Sequence, residues 1–105
     1  MDVPSGSVMR TWWATVRTVD VGEYVAYVEE TGVAEYRRTE GNLGAALVSR
    51  DLGDGTSEVR TVSFWRSRAD IAAFAGADIE TARYYPEDDR FLLTRPETVD
   101  HFDVH

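Results

Sequence analysis

The stretch SEVRTVSFWRSRADIAAFAG, residues 57 to 76, joins a strand pattern directly to a helix pattern. β-branched and aromatic side chains dominate its first nine residues, and strict alternation would place Thr61 and Trp65 on one face of the strand. Ser67 follows as the expected helix N-cap, and Gly76 closes the apolar helix pattern. A strand that leads at once into a helix is therefore the central unit of the predicted fold.

Further elements are predicted on both sides of this unit. Asp54-Gly55 is a typical hairpin turn, which predicts a partner strand over residues 43 to 51. Asp20-Val21-Gly22-Glu23 resembles a capping box at the start of another helix. Alternating segments predict a first strand from residue 9 to 18 and a last strand from residue 98 to 104.

The predicted order is β-α-β-β-α-β, which is the ferredoxin-like α+β arrangement of four antiparallel strands with two helices on one face. A chain of 105 residues suits a single domain, which we predict over residues 9 to 105. Residues 1 to 8 are polar, contain Pro4 and Gly6, and are expected to form a flexible N-terminal segment.

The uncovered face of such a sheet has to be wetted, filled by a ligand or paired with another sheet. We expect Trp13 and Trp65 to point into that face, where large aromatic side chains are costly to leave in water. A homodimer packed sheet against sheet, a dimeric α+β barrel, is the predicted solution. Each protomer would keep a cavity between its helices and its sheet.

Composition excludes several classes of function. The chain has no cysteine, which excludes disulfides, thiolate metal sites and a cysteine nucleophile. Every one of its 11 basic residues is arginine, so a lysine Schiff base is excluded as well. A net charge of −8 argues against nucleic acid or an anionic membrane as a partner. No segment is long and apolar enough to span a membrane, and we expect a cytoplasmic protein.

Aromatic and basic side chains are the candidates for ligand binding. Trp13 and Trp65 would form a wall for a flat molecule, or else serve as core or interface residues. In RYYPEDDRFL, residues 83 to 92, Tyr84 and Tyr85 offer hydroxyl groups and Arg90 offers an anion clamp. The alternative for Arg90 is an ion pair with the neighbouring acids, and for the tyrosines it is packing.

His101 is the candidate general base, at the rim of the cavity, because its ordinary pKa is close to neutrality. A histidine satisfied by a backbone carbonyl is the alternative. His101, Asp103 and His105 would share a strand face, but residues four apart on a strand are separated by about 13 Å. One metal ion cannot reach both imidazoles, so no metal site is predicted.

Two groups of residues resemble a known family. The run Phe64-Trp65-Arg66-Ser67 leads into Ile71-Ala72-Ala73-Phe74, and residues 84 to 92 are followed by Val99-Asp100-His101-Phe102-Asp103-Val104. Together with the element order, they resemble the antibiotic biosynthesis monooxygenase-like domains of the dimeric α+β barrel superfamily. The resemblance runs from about residue 10 to residue 104.

The resemblance implies a cofactor-independent monooxygenase that oxidises an aromatic, polyketide-type molecule with O₂. Trp65 matches the strand-end tryptophan of these oxygenases and would be catalytic together with His101. Thr61 occupies the position of an asparagine that the oxygenases use and is expected to line the cavity and contact the substrate, whereas Ala75 occupies that of the histidine of haem-cleaving relatives. Whether the chain is an enzyme therefore stays open. The alternatives are a non-catalytic dimeric binding or accessory protein, and a cofactor-free isomerase or cyclase.

Overall fold

A computed structural model describes residues 2 to 105 of the chain. Its four strands form one antiparallel sheet in the order β2-β3-β1-β4, and helical segments complete an α+β fold. The predicted ferredoxin-like architecture is therefore confirmed for the single protomer. The elements in chain order are β1 (Val8–Arg17), a 3-10 turn (Thr18–Asp20), α1 (Val21–Val28), a π turn (Glu29–Val33), α2 (Ala34–Arg38), β2 (Asn42–Asp51), β3 (Thr56–Trp65), α3 (Arg68–Ala75), α4 (Asp88–Phe91) and β4 (Asp100–Asp103).

Residues 21 to 38 form one nearly continuous helical segment, in which the π turn separates α1 from α2. Glu29, the first residue of the π turn, and Ala34, which follows it, both have right-handed helical dihedrals, so the chain does not leave the helix at the π turn. Gly32 and Val33 in that turn are buried. The sequence predicts an end or kink of the helix at Gly32. In the structure the helix continues there but widens locally into the π turn.

The side chains of β3 alternate strictly between buried and half-buried positions. Trp12 of β1 lies directly opposite Thr61 of β3, so both point towards the helices. Trp65 has the same parity as Thr61 and is fully buried on this core face, whereas Trp13 lies on the uncovered face. The prediction that Trp65 points into the uncovered face is therefore wrong, because the register with β1 places it under α3.

Two clusters of buried apolar side chains fill the space between sheet and helices. The larger one surrounds Trp12 and includes Tyr24, Val28 and Phe91 from the helices. The smaller one surrounds Trp65 and is completed by the side chains of Val8, Tyr36, Ile71 and Phe74. Burial of each large side chain contributes roughly 1.5–3 kcal/mol, so these clusters supply the main stabilisation of the protomer.

The first and last strands differ from their predicted limits. β1 begins at Val8, and Gly6 N donates to Val104 O over 2.8 Å, while Val104 N donates to Ser7 O over 2.9 Å. The ordered structure thus extends into the segment that we expected to be flexible. β4 is only four residues long, and Thr98, the predicted first residue of this strand, forms an isolated bridge with Thr81 instead. None of the helices within residues 2 to 105 has the length and apolar character needed to cross a membrane.

The turn before β2 packs closely against the start of α3, and a substitution at Gly41 tests how tight this contact is. Gly41 has φ +92°, and a Cβ added there would lie 2.5 Å from Asp70 Cβ at the start of α3. We expect Gly41→Ala to lower the free energy of unfolding by about 3 kcal/mol, because a forced shift of α3 adds to the cost of the left-handed conformation. Urea denaturation measures the change.

Gly53→Ala is the matched control, since Gly53 has φ +85° with nothing within 4 Å of the added Cβ. It should cost only the conformational strain, about 1–2 kcal/mol. Equal losses for the two variants would show that the approach of Gly41 to Asp70 is not tight.

Candidate functional site

A cavity of about 40 Å³ lies between the core face of the sheet and the helical segment. Arg10, Trp12 and Thr61 form its floor, and Gly32 of the π turn and Tyr85 are part of its opposite wall. Because a water molecule needs roughly 10–15 Å³ of such volume, the space holds a few waters or one small chemical group. It is much smaller than the few hundred Å³ of a typical ligand pocket.

The floor contains a buried guanidinium. Arg10 is 1% exposed, and its Nη1 donates to Ile79 O over 2.5 Å and lies 3.0 Å from His101 Nε2. Burial is the main cause of a lowered pKa of Arg10. Among residues 2 to 105, no carboxylate lies within ion-pair distance of this guanidinium, and its Nε has no hydrogen-bond partner. A cation in this environment is only partly compensated.

His101 holds Arg10 in place from β4. Its side chain is 2% exposed, and because Arg10 only donates, Nε2 must be the accepting, unprotonated nitrogen. The proton then resides on Nδ1, which lies 3.5 Å from Glu80 Oε1, beyond a well-formed hydrogen bond. Burial, assisted by the charge of Arg10, lowers the pKa of His101 and favours this neutral form. His101 does not line the cavity but contacts Arg10, which does, and its role as general base stays a prediction.

Thr61 is the predicted site residue that lies on the cavity floor. It is 4% exposed, and its Oγ1 is buried without a hydrogen-bond partner. Buried polar atoms are nearly always paired. Two unpaired donors, Arg10 Nε and Thr61 Oγ1, therefore belong to the same small cavity.

The two predicted tryptophans lie away from the cavity. Trp65 is fully buried in the smaller core cluster, donates from Nε1 to Ser63 Oγ over 2.8 Å, and packs edge-on against Tyr36. Trp13 lies on the uncovered face of the sheet, opposite Arg60. The aromatic side chain on the cavity floor is Trp12, whose Nε1 donates to Tyr84 OH over 3.2 Å.

The connector between α3 and β4 brings one of its three predicted residues to the cavity. Tyr85 lines it and donates its hydroxyl group to Glu35. Tyr84 donates to the carbonyl of Pro96 and lines a separate surface depression instead. Arg90 is 58% exposed and pairs with Glu23 over 2.5 Å, so the simpler account of a surface ion pair describes its position.

Asp88 lines the cavity and was not among the residues predicted from the sequence. It is 4% exposed and accepts hydrogen bonds from Tyr24 OH over 2.9 Å and from the backbone N–H of Tyr85 over 2.6 Å. Burial, together with the Asp88 charge, raises the pKa of Tyr24, which keeps that hydroxyl a neutral donor. The run of three acids gave no signal that one of them is buried.

Arg10 was likewise missed as a site residue, although the sequence contained a signal for it. Alternation places Arg10 on the same face of β1 as Trp12, Ala14 and Val16, which are otherwise apolar. A cationic side chain on a buried face needs hydrogen-bond or charged partners, and buried charged side chains often mark functional sites. Residues 2 to 105 contain no group of three or more His, Asp or Glu side chains placed to hold a metal ion.

The π turn is a second feature of the site. π turns are rare and occur frequently at functional sites, and Thr31 and Gly32 of this one both line the cavity. Thr31 Oγ1 donates to Tyr27 O over 2.8 Å, which satisfies a carbonyl at the widened turn. A Cβ added at Gly32 would lie 3.7 Å from the Tyr85 ring, so the absence of a side chain leaves space in the wall.

Solved structures share the fold of this chain, whereas no family model and no curated protein matches it. A "putative antibiotic biosynthesis monooxygenase" from Nitrosomonas europaea superimposes with a TM-score of 0.64 at 17% identity, covering 98% of this chain and 94% of its own. A protein of the same description from Bacillus cereus gives 0.61 at 17% identity, with coverages of 93% and 90%. Rv0793 from Mycobacterium tuberculosis gives 0.54 at 19% identity, with coverages of 91% and 92%. The resemblance noted in the sequence is thus confirmed at the level of the fold.

The buried imidazole predicts how stability depends on pH. Because the pKa of His101 is lowered in the folded protein from its ordinary value of 6.5, the unfolded chain binds the proton first as the pH falls. The free energy of unfolding should therefore decrease as the pH falls from about 7 to 5. The charges that act on His101 are Arg10, Arg68 and Glu80.

His101→Gln keeps an acceptor for Arg10 but cannot titrate, so its free energy of unfolding should change less between pH 7 and pH 5. Urea denaturation at several pH values measures the slope. The exposed His105, at the last position of the chain, provides the control variant His105→Gln. An unchanged slope in His101→Gln would exclude His101 as the cause.

Proposed function

We propose that the protein binds a small organic molecule in the cavity and oxidises it with O₂, without a metal or organic cofactor. The observation that carries this proposal is the presence of opposite charges in the cavity lining, Asp88 against Arg10 and Arg83, within a site that also contains Trp12 and apolar side chains. A few convergent polar groups in an apolar cavity are typical of ligand and substrate sites. The names of two structures with the same fold, both described as monooxygenases, support the same kind of chemistry.

The proposed reaction needs one proton acceptor and one group that stabilises an anion. Asp88 would accept a proton from a phenolic or activated C–H group, and Arg10 would stabilise the resulting anion. The substrate anion then gives an electron to O₂, which is the oxidant. Overall, a ring CH₂ loses two hydrogen atoms and gains one oxygen atom as a carbonyl, while the second oxygen atom leaves as water.

The cavity has to enlarge to take an aromatic substrate, because 40 Å³ does not hold a ring system. Gly32 and Thr31 lie in the wall formed by the π turn, where no long side chain obstructs movement. We therefore propose that the substrate enters by displacing this wall from Tyr85. His101 would act through Arg10, and Thr61 and Tyr85 would contact the substrate directly.

A second candidate is a non-catalytic dimeric binding or accessory protein. It is favoured by Trp65, which matches the oxygenases' tryptophan but is fully buried in the core, away from the cavity. Thr61, which stands in the place of the oxygenases' asparagine, also favours a non-catalytic protein. A cofactor-free isomerase or cyclase would use the same Asp88 and Arg10 groups for proton transfer without consuming O₂. The cytoplasmic location stays a prediction.

The uncovered sheet face is proposed as a homodimer interface. Trp13 is half-buried there, and two apolar side chains of this face, Phe102 and Val48, are 51% and 47% exposed. The polar Arg60 donates to Glu58 and to Thr11 Oγ1 on the same face, so its charge is already compensated. An apolar sheet face of this kind is stabilised by a second copy.

Phe102→Glu should shift the protein from dimer to monomer in analytical ultracentrifugation, because it places a charge in the proposed interface. Val19→Glu is the control, since Val19 is 85% exposed and lies outside the sheet. A dimer that persists equally in both variants would contradict an interface on this face.

Oxygen consumption tests the proposed chemistry. We expect O₂ uptake above the uncatalysed rate with at least one member of a panel of polycyclic phenols and quinols. Gly32→Val should lower kcat/KM roughly tenfold or more, because its branched side chain fills the space beside Tyr85 and costs substrate contacts worth about 1.4 kcal/mol or more.

Gly22→Val is the matched control, because Gly22 is an exposed helical glycine with nothing within 4 Å of an added Cβ. Its kcat/KM should equal that of the wild type. Absence of O₂ uptake across the whole panel, with binding retained, would favour the binding protein over the oxygenase.

A further inference from the structure

Two buried hydrogen-bond donors in the cavity have no partner. Arg10 Nε and Thr61 Oγ1 belong to the adjacent strands β1 and β3 and face the same side of the sheet. Thr61 lies opposite Trp12, and Arg10 lies opposite Ser63, so the two residues are diagonal neighbours across the strand pair. Buried donors without partners are uncommon, and each one calls for a group that is absent from the protein itself.

The positive charge at this end of the cavity is only partly compensated. The Arg10 guanidinium has a backbone carbonyl and a neutral imidazole nitrogen as its hydrogen-bond acceptors, and the Glu80 carboxylate acts on it from beyond ion-pair distance. Asp88 lines the cavity as well, but both of its oxygens already accept hydrogen bonds, from Tyr24 and from the Tyr85 backbone. It is not within ion-pair distance of Arg10 in the described part of the chain. Arg83 also lines the cavity, but its Nη1 donates to Glu35 and to Phe74 O. Arg10 is therefore the lining cation without a paired carboxylate, and an anion would find compensation at its end of the cavity.

The geometry points to a binding site for a small organic anion, a carboxylate or a phenolate, whose charged oxygen accepts hydrogen bonds from Arg10 Nε and Thr61 Oγ1. Its flat apolar body would lie against Trp12, Val28 and Val99, which line the same cavity. The existing 40 Å³ suffices for the charged group alone, and the body would displace the wall at Gly32. The inference rests on the proposed function in that it concerns the same cavity, and it adds which two donor atoms hold the charged oxygen of the ligand.

Calorimetric titration with benzoate and with benzamide tests the charge requirement directly, because the two molecules have nearly the same shape. We expect wild-type protein at pH 7 to bind benzoate at least about tenfold more tightly than benzamide, since charge-assisted hydrogen bonds are about twice as strong as neutral ones. Equal affinities, or binding of neither molecule, would overturn the site. The second result would mean that only ordered water occupies the cavity.

Thr61→Val isolates the hydroxyl donor without endangering the fold, because an unpaired buried polar atom is replaced by a methyl group of the same shape. It should weaken benzoate binding roughly fivefold to tenfold and leave benzamide binding nearly unchanged. Thr11→Val is the control for the same replacement on the opposite face of the sheet, where Thr11 is equally buried and its Oγ1 accepts from Arg60. Equal effects of both variants would contradict the assignment of Thr61.

Arg10→Met should abolish the preference for benzoate over benzamide, and circular dichroism reports whether the variant folds. If it does not fold, the comparison of Thr61→Val with Thr11→Val still tests the anion site.

The anion site and the oxygenase activity can fail independently in these experiments. Preferential benzoate binding without O₂ uptake would support the anion site and reject the oxygenase. Turnover of a quinol without any preference for benzoate would do the reverse.

Discussion

The buried guanidinium of Arg10 connects the parts of the fold that the sheet alone holds weakly. β4 pairs with β1 over only four residues, and the loop after α3 has no strand of its own. Arg10 reaches both, through the carbonyl of Ile79 and the imidazole of His101. Desolvating a cation is expensive, so these two acceptors and the surrounding aromatic side chains, including the Phe74 ring at 5.9 Å, have to offset a substantial cost.

The same arrangement creates the candidate site. Nη1 of Arg10 is used for structure, whereas Nε is buried without an acceptor on a residue that lines the cavity. His101 contributes by being neutral, because a protonated imidazole could not accept from Arg10. In the proposed site, structural and ligand-binding roles would be divided between atoms of one side chain, and the positive charge at this end of the cavity follows from how the edge strand is attached.

The sequence predicted the architecture well because alternation and turn residues are local signals. The Asp54-Gly55 hairpin, the strand ending at Trp65 and the Ser67 cap, which accepts from Asp70 N over 3.2 Å, all occur as predicted. The face of Trp65 could not be derived from its own strand, because alternation leaves the choice of side to the register with β1. The face of Trp65 follows only once the pairing of β3 with β1 is known.

The site was predicted less well because its geometry depends on contacts between residues far apart in the chain. Arg10 and His101 are 91 positions apart, and Tyr24 and Asp88 are 64 apart. From residue type alone, the sequence suggested imidazoles, tryptophans and exposed arginines as site residues. The charged side chains that are buried in the cavity lining are those of Arg10 and Asp88. Of the residues proposed from the sequence, Thr61 and Tyr85 line the cavity. Thr61 lies on β3, whose position was predicted correctly, whereas Tyr85 lies in the irregular connector between α3 and α4.

The strengths of the contacts differ between the floor and the wall of the cavity. The floor consists of paired strands and fully buried side chains, so deforming it would disrupt the larger core cluster. The wall is held by contacts around Glu35, which accepts from Tyr85 OH and pairs with Arg83 over 2.9 Å. Arg83 and Glu35 are 44% and 30% exposed, and ion pairs with such exposure contribute only about 0–1 kcal/mol. Val33 of the π turn belongs to the larger core cluster, so in the proposed entry route the separation of Tyr85 from the π turn would break these weak contacts before it disturbs the core.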